Sequence, residues 1–156
     1  MLVRYPKDLK LPLVSTHRLS QNPNLLRTEM ASGRARQRKR FQSVPTTMAA
    51  TWKLKADQAV ILEGFVKHGT NDAVNWFVMP IRTPQGLIDH DVRFMQSPLE
   101  SCSFNGGFWS YSANIEIKEL QVVSREIYDL TTHFGILDLS FLLDAIEVTV
   151  NQNKFE

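Results

Sequence analysis

The sequence predicts an α+β fold, predominantly antiparallel β in a sandwich or barrel-like sheet with one covering helix. An extended N-terminal arm and a C-terminal helical appendage complete it. Two stretches, residues 47–55 and 109–118, alternate apolar with polar side chains at the period of a strand that buries one face. Residues 58–67 lack proline and set Ala59, Leu62 and Val66 at helical spacing, with Ile61 and Phe65 beside them, which is the stripe of a helix lying on a sheet. Turn signals at Ser32-Gly33, Pro84-Gln85-Gly86 and Asn105-Gly106-Gly107 separate these stretches into short elements.

With 156 residues the chain is long enough for one domain with a real core, and 43% hydrophobic with 22% charged residues is ordinary globular composition. Its net charge of +2 does not by itself argue for a nucleic acid partner. The single cysteine, Cys102, forms no intrachain disulfide and excludes a multi-cysteine zinc site. Arg4, Lys7, Asp8 and Lys10 leave no apolar core for a signal peptide, so the chain is expected in the cytoplasm when made. No run reaches the roughly 18 apolar residues of a membrane helix, and no membrane partner is expected.

Residues 1–30 carry Pro6, Pro12 and Pro23 among apolar residues such as Leu11, Leu13 and Val14. Prolines at this density disfavour helices and interior strands, so the segment reads as an extended arm. It docks either on the chain's own core or, in the sharper reading, on an adjacent subunit. Residues 31–120 form the β-rich core domain. After Ser32-Gly33, arginines at 34, 36, 38 and 40 repeat every second residue, so that on a strand Arg34, Arg36, Arg38 and Arg40 share one face. That strip faces an acidic partner or a polyanion, or is a solvated face that discourages edge-to-edge pairing. Residues 47–55 follow, and the basic strand is expected to form a hairpin with them.

Asp57 is the expected N-cap of the helix and Gly69 its C-terminal glycine, with His68 in the last turn complementing the helix dipole. Trp76-Phe77-Val78-Met79-Pro80 is too apolar to be exposed and too short for a helix, and Pro84-Gln85-Gly86 joins it to a strand over residues 87–94. The triplet Asp89-His90-Asp91 on an extended chain sends neighbouring side chains to opposite faces, so the three do not converge on a metal ion. From Ser124 the pattern turns helical. Ile127, Leu130 and Phe134, then Leu139, Leu142, Leu143 and Ile146, make residues 121–156 an appended amphipathic segment, with a short strand at Val148-Thr149-Val150.

Motifs of catalysis are missing from the sequence. It holds no glycine-rich phosphate loop, no histidine pair at metal spacing among His17, His68, His90 and His133, and no nucleophile elbow. Cys102 has no adjacent basic residue to lower its pKa. The expectation is a protein without catalytic residues, metal or cofactor, acting by binding.

Taken in order, residues 38–41, Thr51-Trp52-Lys53-Leu54, residues 61–68, Trp76-Phe77-Val78-Met79-Pro80, Gly86, residues 92–94 and Trp109-Ser110-Tyr111-Ser112-Ala113 resemble the layout of tailed-phage minor tail proteins, the lambda-type minor tail protein M or distal tail protein family. There a basic strand precedes a Thr-Trp strand, a helix ending in an aromatic and a histidine, an aromatic-rich strand ending in proline, a glycine turn and a tryptophan-led strand. The likeness spans residues 34–120. The family's glycine-aspartate-glycine-tyrosine turn is replaced here by Gln42-Ser43-Val44-Pro45. The resemblance implies a structural virion protein: a homo-oligomeric ring at the tail tip, a hexamer being one candidate, that joins the tail tube to the hub or baseplate. Tube, tape measure and hub are its implied partners, with Arg34, Arg36, Arg38, Arg40, Trp76 and Phe77 as candidate contact residues. Nucleic acid is expected only as DNA passing through the lumen. Two alternatives stay open: a head–tail connector or tail-completion protein, and a basic nucleic-acid-binding module.

Overall fold

Strands that alternate in sequence must bury one face, and here they do so in one sheet. The computed structural model describes residues 1–31 and 33–134. The chain divides into two compact units, Met1–Leu120 and Gln121–Glu156. In the first, β1 (Val3–Arg4), β2 (Arg18–Gln21), β5 (Thr46–Leu54), β6 (Phe77–Thr83), β7 (Gly86–Phe94), β8 (Ser103–Asn105) and β9 (Phe108–Ile117) form a seven-stranded sheet. Its order is β1-β6-β7-β9-β5-β2, with β8 beside β9. All pairs are antiparallel except β1 with β6. Helix α1 (Ala56–Gly64) follows β5. The fold is therefore α+β with mostly antiparallel strands, as the sequence patterns predict.

The spine is the β5–β9 ladder, in register from Thr46 opposite Ile117 to Leu54 opposite Trp109. On β5, Met48, Ala50, Trp52 and Leu54 are buried, and Tyr111, Ala113, Ile115 and Ile117 are their counterparts on β9. Phe77, Met79 and Ile81 of β6 and Val92 and Phe94 of β7 continue the same face. Ala59 and Leu62 of α1, with Phe65 and Val66 just after it, complete the core. Each large side chain removed from water here contributes on the order of 1.5–3 kcal/mol.

Of the two readings of the N-terminal segment, the structure shows docking on the chain's own core, and it adds strands that the sequence did not predict. Strand β1 pairs with β6 at one margin of the sheet and β2 with β5 at the opposite margin. The chain between them crosses the core: Tyr5 and Leu9 are buried. The Tyr5 hydroxyl accepts a 2.9 Å hydrogen bond from Trp52 Nε1 and donates one of 2.7 Å to the Lys10 carbonyl, while its ring meets Phe65 edge-on at 5.7 Å. Further along, the Leu13 N–H bonds the Thr51 carbonyl. Residues 1–21 are thus a strap on their own sheet. The structure does not divide at residue 30. No α-helix forms in this segment, only a 3-10 turn at Val14–Thr16, and Pro6, Pro12 and Pro23 all fall outside the short strands.

The helix begins one residue before Asp57. Lys55 is still extended (φ −76°, ψ 167°) and makes no side-chain cap, so the chain turns directly from strand into helix. Asp57 lies in the first turn, where the helix dipole favours a carboxylate. At the other end α1 runs into a π-helical turn, Phe65–Gly69, instead of stopping at a glycine cap. A Cβ on Gly69 would sit 2.8 Å from Phe65 Cδ2, so glycine is required there for close packing. His68 is exposed in that turn. Buried Thr70 closes the element: its hydroxyl donates to the Val66 carbonyl (2.9 Å) and accepts from the Ala73 N–H (3.1 Å). These bonds hold Asn71, Asp72 and Ala73 at positive φ of 51°, 57° and 69°.

Pro80 is tolerated in β6 because β1 pairs only with Phe77 and Val78, which leaves the outer edge of β6 open at the proline. The β8–β9 hairpin turns through Gly106 and Gly107, at φ of 59° and 81°, the pair of left-handed residues a type I′ turn demands. His90 is buried with Nδ1 2.8 Å from the Ile88 carbonyl, whereas Asp89 faces outward and pairs with Arg4 at 3.1 Å. Among the described residues no three His, Cys, Asp or Glu side chains cluster to hold a metal.

In the second unit, α2 (Arg125–Phe134) begins after Ser124, whose Oγ accepts from the Ile127 N–H at 3.4 Å. The expected helix from Leu139 to Ile146 and the strand at Val148-Thr149-Val150 lie outside the described residues.

Replacing Tyr5 with Phe leaves the Trp52 N–H buried without its acceptor, and is expected to cost about 1–3 kcal/mol in urea unfolding with an unchanged m value. Burial pushes the Tyr5 phenol well above its ordinary value, and burial with the adjoining Glu63 carboxylate and Cys102 does the same to Tyr111. Both groups stabilise the fold fully below the ordinary phenol pKa of about 10, and that stability is lost as pH rises beyond it. Denaturant midpoints measured across alkaline pH are expected to fall above that point, and less steeply in Tyr5→Phe.

Candidate functional site

Between β2 and β5 the chain leaves the sheet. Asn22-Pro23-Asn24 interrupts pairing, and β3 (Leu25–Thr28) then pairs antiparallel with β4 (Arg36–Lys39) as a separate two-stranded ribbon. The register sets Leu25 opposite Lys39, Leu26 opposite Arg38, Arg27 opposite Gln37 and Thr28 opposite Arg36. Asn24 extends the ladder: its carbonyl accepts from the Arg40 N–H (2.8 Å) and its Oδ1 from the Phe41 N–H (2.7 Å). Lys39 Nζ donates to the Gln42 carbonyl at 2.9 Å and so fixes the exit. The basic strand therefore pairs with β3 and not, as the sequence order led one to expect, with β5.

Alternation across the ribbon places Leu26, Thr28, Arg36 and Arg38 on one face and Leu25, Arg27, Gln37 and Lys39 on the other. Of the four arginines expected on one strip, Arg36 and Arg38 share a face within β4. Arg34 precedes the strand, and Arg40 follows it with its guanidinium 5.1 Å from the centre of the Phe41 ring. Every residue of β4 is exposed. Thr28, Met30, Arg36, Gln37 and Arg38 line an open groove along the ribbon.

Residues 24–41 hold six basic side chains and one acidic, Glu29, a local charge of +5 in a chain of net +2. Glu29 lies 3.5 Å from Arg27 in an exposed pair that contributes little. Leu25, Met30 and Phe41 are exposed beside this charge. A two-stranded hairpin is marginal in water by itself, and arginines present planar donor forks that match carboxylate or phosphate oxygens. The ribbon thus presents exposed guanidinium groups beside exposed apolar side chains.

Trp76 and Phe77 do not join it. Phe77 is fully buried, with its ring 5.2 Å from Phe65 and 4.9 Å from Phe94, so it is a core residue and not a partner contact. Trp76 is half-buried, with the Arg93 guanidinium 4.8 Å from its ring centre; Arg93 in turn bonds Glu116. The alternation that sends Phe77, Met79 and Ile81 inward turns Trp76 outward. The sequence reading missed Leu25-Leu26-Arg27-Thr28 as the second half of the site. Its signal was a four-residue run between Pro23-Asn24 and the Ser32-Gly33 turn, at hairpin distance from the arginines.

Compared with protein-family models, curated proteins and solved structures, the chain matches none. No helix among the described residues is long and apolar enough to cross a membrane.

Exchanging Arg34, Arg36, Arg38 and Arg40 together for glutamine is expected to leave unfolding stability within about 0.5 kcal/mol, because the side chains are exposed. Phe77→Ala is expected to cost about 3–5 kcal/mol by opening a cavity in the core. Chemical denaturation of both variants distinguishes the binding surface from the core.

Proposed function

We propose that this protein is a non-enzymatic structural subunit of a phage tail, a distal tail protein whose copies form a ring at the tail tip and join the tail tube to the hub or baseplate. The observation that carries this reading is the β3–β4 ribbon, a strongly basic element with exposed apolar side chains that stands outside the sheet. Such a surface is designed for a partner, since a monomer gains nothing by exposing it. The order of elements supports the same reading, because the basic strand, the Thr-Trp strand, the helix, the aromatic strand β6 and the strand β9 that carries Trp109 follow one another as in the resemblance to minor tail proteins, although β6 runs three residues past Pro80 and β9 begins at Phe108. A ring follows from symmetry when the contact joins two different patches of neighbouring copies and the rotation closes.

The arginines favour one other reading, a nucleic-acid-binding module. Negative-stain images of the purified protein, together with antibody labelling of tailed particles that contain it, separate the two. Rings in solution and label at the tail tip are the expected result. Label at the head–tail joint would move the protein to a connector role. Monomers that bind duplex DNA with a steep salt dependence would replace the tail reading with the nucleic-acid one.

A further inference from the structure

Charge in this chain is segregated by segment. Residues 24–41 carry +5 on the ribbon. Residues 121–156 carry six acidic side chains against Arg125 and Lys154, a charge of −4. Everything else together is near neutral at +1. Two short segments toward opposite ends of the chain thus hold nearly all of its charge imbalance, with opposite sign and similar size.

Both segments also carry apolar side chains beside their charges. The ribbon exposes Leu25 and Met30 beside its arginines. The acidic segment sets Ile127 and Leu130 beside Glu126 and Asp129 on α2, and its sequence continues with Leu142 and Leu143 close to Asp138 and Asp144. Ribbon against ribbon would bring arginines together, a like-charge contact that opposes self-pairing. Ribbon against acidic segment brings opposite charges together over apolar ground, the arrangement that gives specificity and register.

We propose that the ribbon of one copy binds the acidic C-terminal segment, residues 121–156, of a second copy. The inference rests on the ring reading and supplies its contact. Because the two surfaces differ, the pairing is head-to-tail, the kind that closes a ring. The segment's thirty-six residues reach on the order of 50 Å even as helix. Arginine forks on carboxylates carry the polar part, and Leu25 and Met30 are covered in the process.

The test uses the full chain. Light scattering coupled to gel filtration is run against salt concentration for the native protein, for Arg36→Glu with Arg38→Glu, for Asp138→Lys with Asp144→Lys, and for an equimolar mixture of the two reversed proteins. Arg36→Gln with Arg38→Gln serves as a milder variant on exposed positions that leaves the fold alone. The native protein is expected to assemble and to dissociate as salt rises. Each reversal is expected to weaken association about tenfold or more, the glutamine pair less, and the mixture is expected to recover it. Three results overturn the inference: assembly unchanged by either reversal, a mixture that does not recover, or a native protein that stays monomeric at every salt concentration. Rings that persist through both reversals leave the tail reading standing and remove only this contact. Particles without label at the tail tip remove the tail reading itself.

Discussion

Both edges of β5 are occupied, and the placement of the basic strand depends on that. β9 takes one edge along the full strand, from Thr46 to Leu54, while β2 and the Leu13 N–H take the other. Where both edges are engaged, over Thr46–Ala49 and at Thr51, the strand is saturated and has nothing to offer a newcomer. The arginine-bearing strand adjoins β5 in sequence, yet the sheet gives it no place there. It must pair with what precedes it, and the result is a ribbon outside the sheet with its charge in water.

That saturation is achieved by the N-terminal strap. Tyr5 anchors it: one hydroxyl links the Trp52 indole to the Lys10 backbone, and one ring packs on Phe65. Phe65 stands in turn on Phe77, and Phe77 on Phe94, so that the strap, the π-helical turn, β6 and β7 share one aromatic chain. A buried hydrogen bond at this node fixes where the segment crosses the core, and so where β2 arrives on β5. The point where the chain leaves the sheet for the ribbon is therefore set by contacts in the core.

Much of this was legible in the sequence where one face of an element is buried along its whole length. The alternation in Thr47 to Lys55 and in Trp109 to Lys118 located β5 and β9, and Ala59, Leu62 and Val66 located the buried side of α1 and of the π-helical turn that continues it. What was not legible lacks such repetition. Two- and four-residue strands at the margins, β1 and β2, are too short to show a period, and the route between them is set by tertiary contacts of Tyr5 and Leu9. Gly69 carried a glycine cap signal, but a steric demand from Phe65 put it there. For Trp76 and Phe77 the outward residue could have been chosen by parity, since Arg82 shares the parity of Trp76. The arginine spacing located β4 but overran it, since Arg34 and Arg40 lie outside its ends, and the partner strand Leu25–Thr28 is too short to show a period of its own.

The central claim is that the ribbon is excluded from the sheet and completed only by a partner. Residue-resolved amide hydrogen exchange tests it most directly, on the protein at concentrations where it is dispersed and again after assembly. The account predicts fast exchange throughout β3 and β4 in the dispersed protein, slow exchange in β5 and β9 under both conditions, and marked protection of the ribbon on assembly. Ribbon amides as slow as those of β5 in the dispersed protein, or unchanged when copies associate, would contradict it.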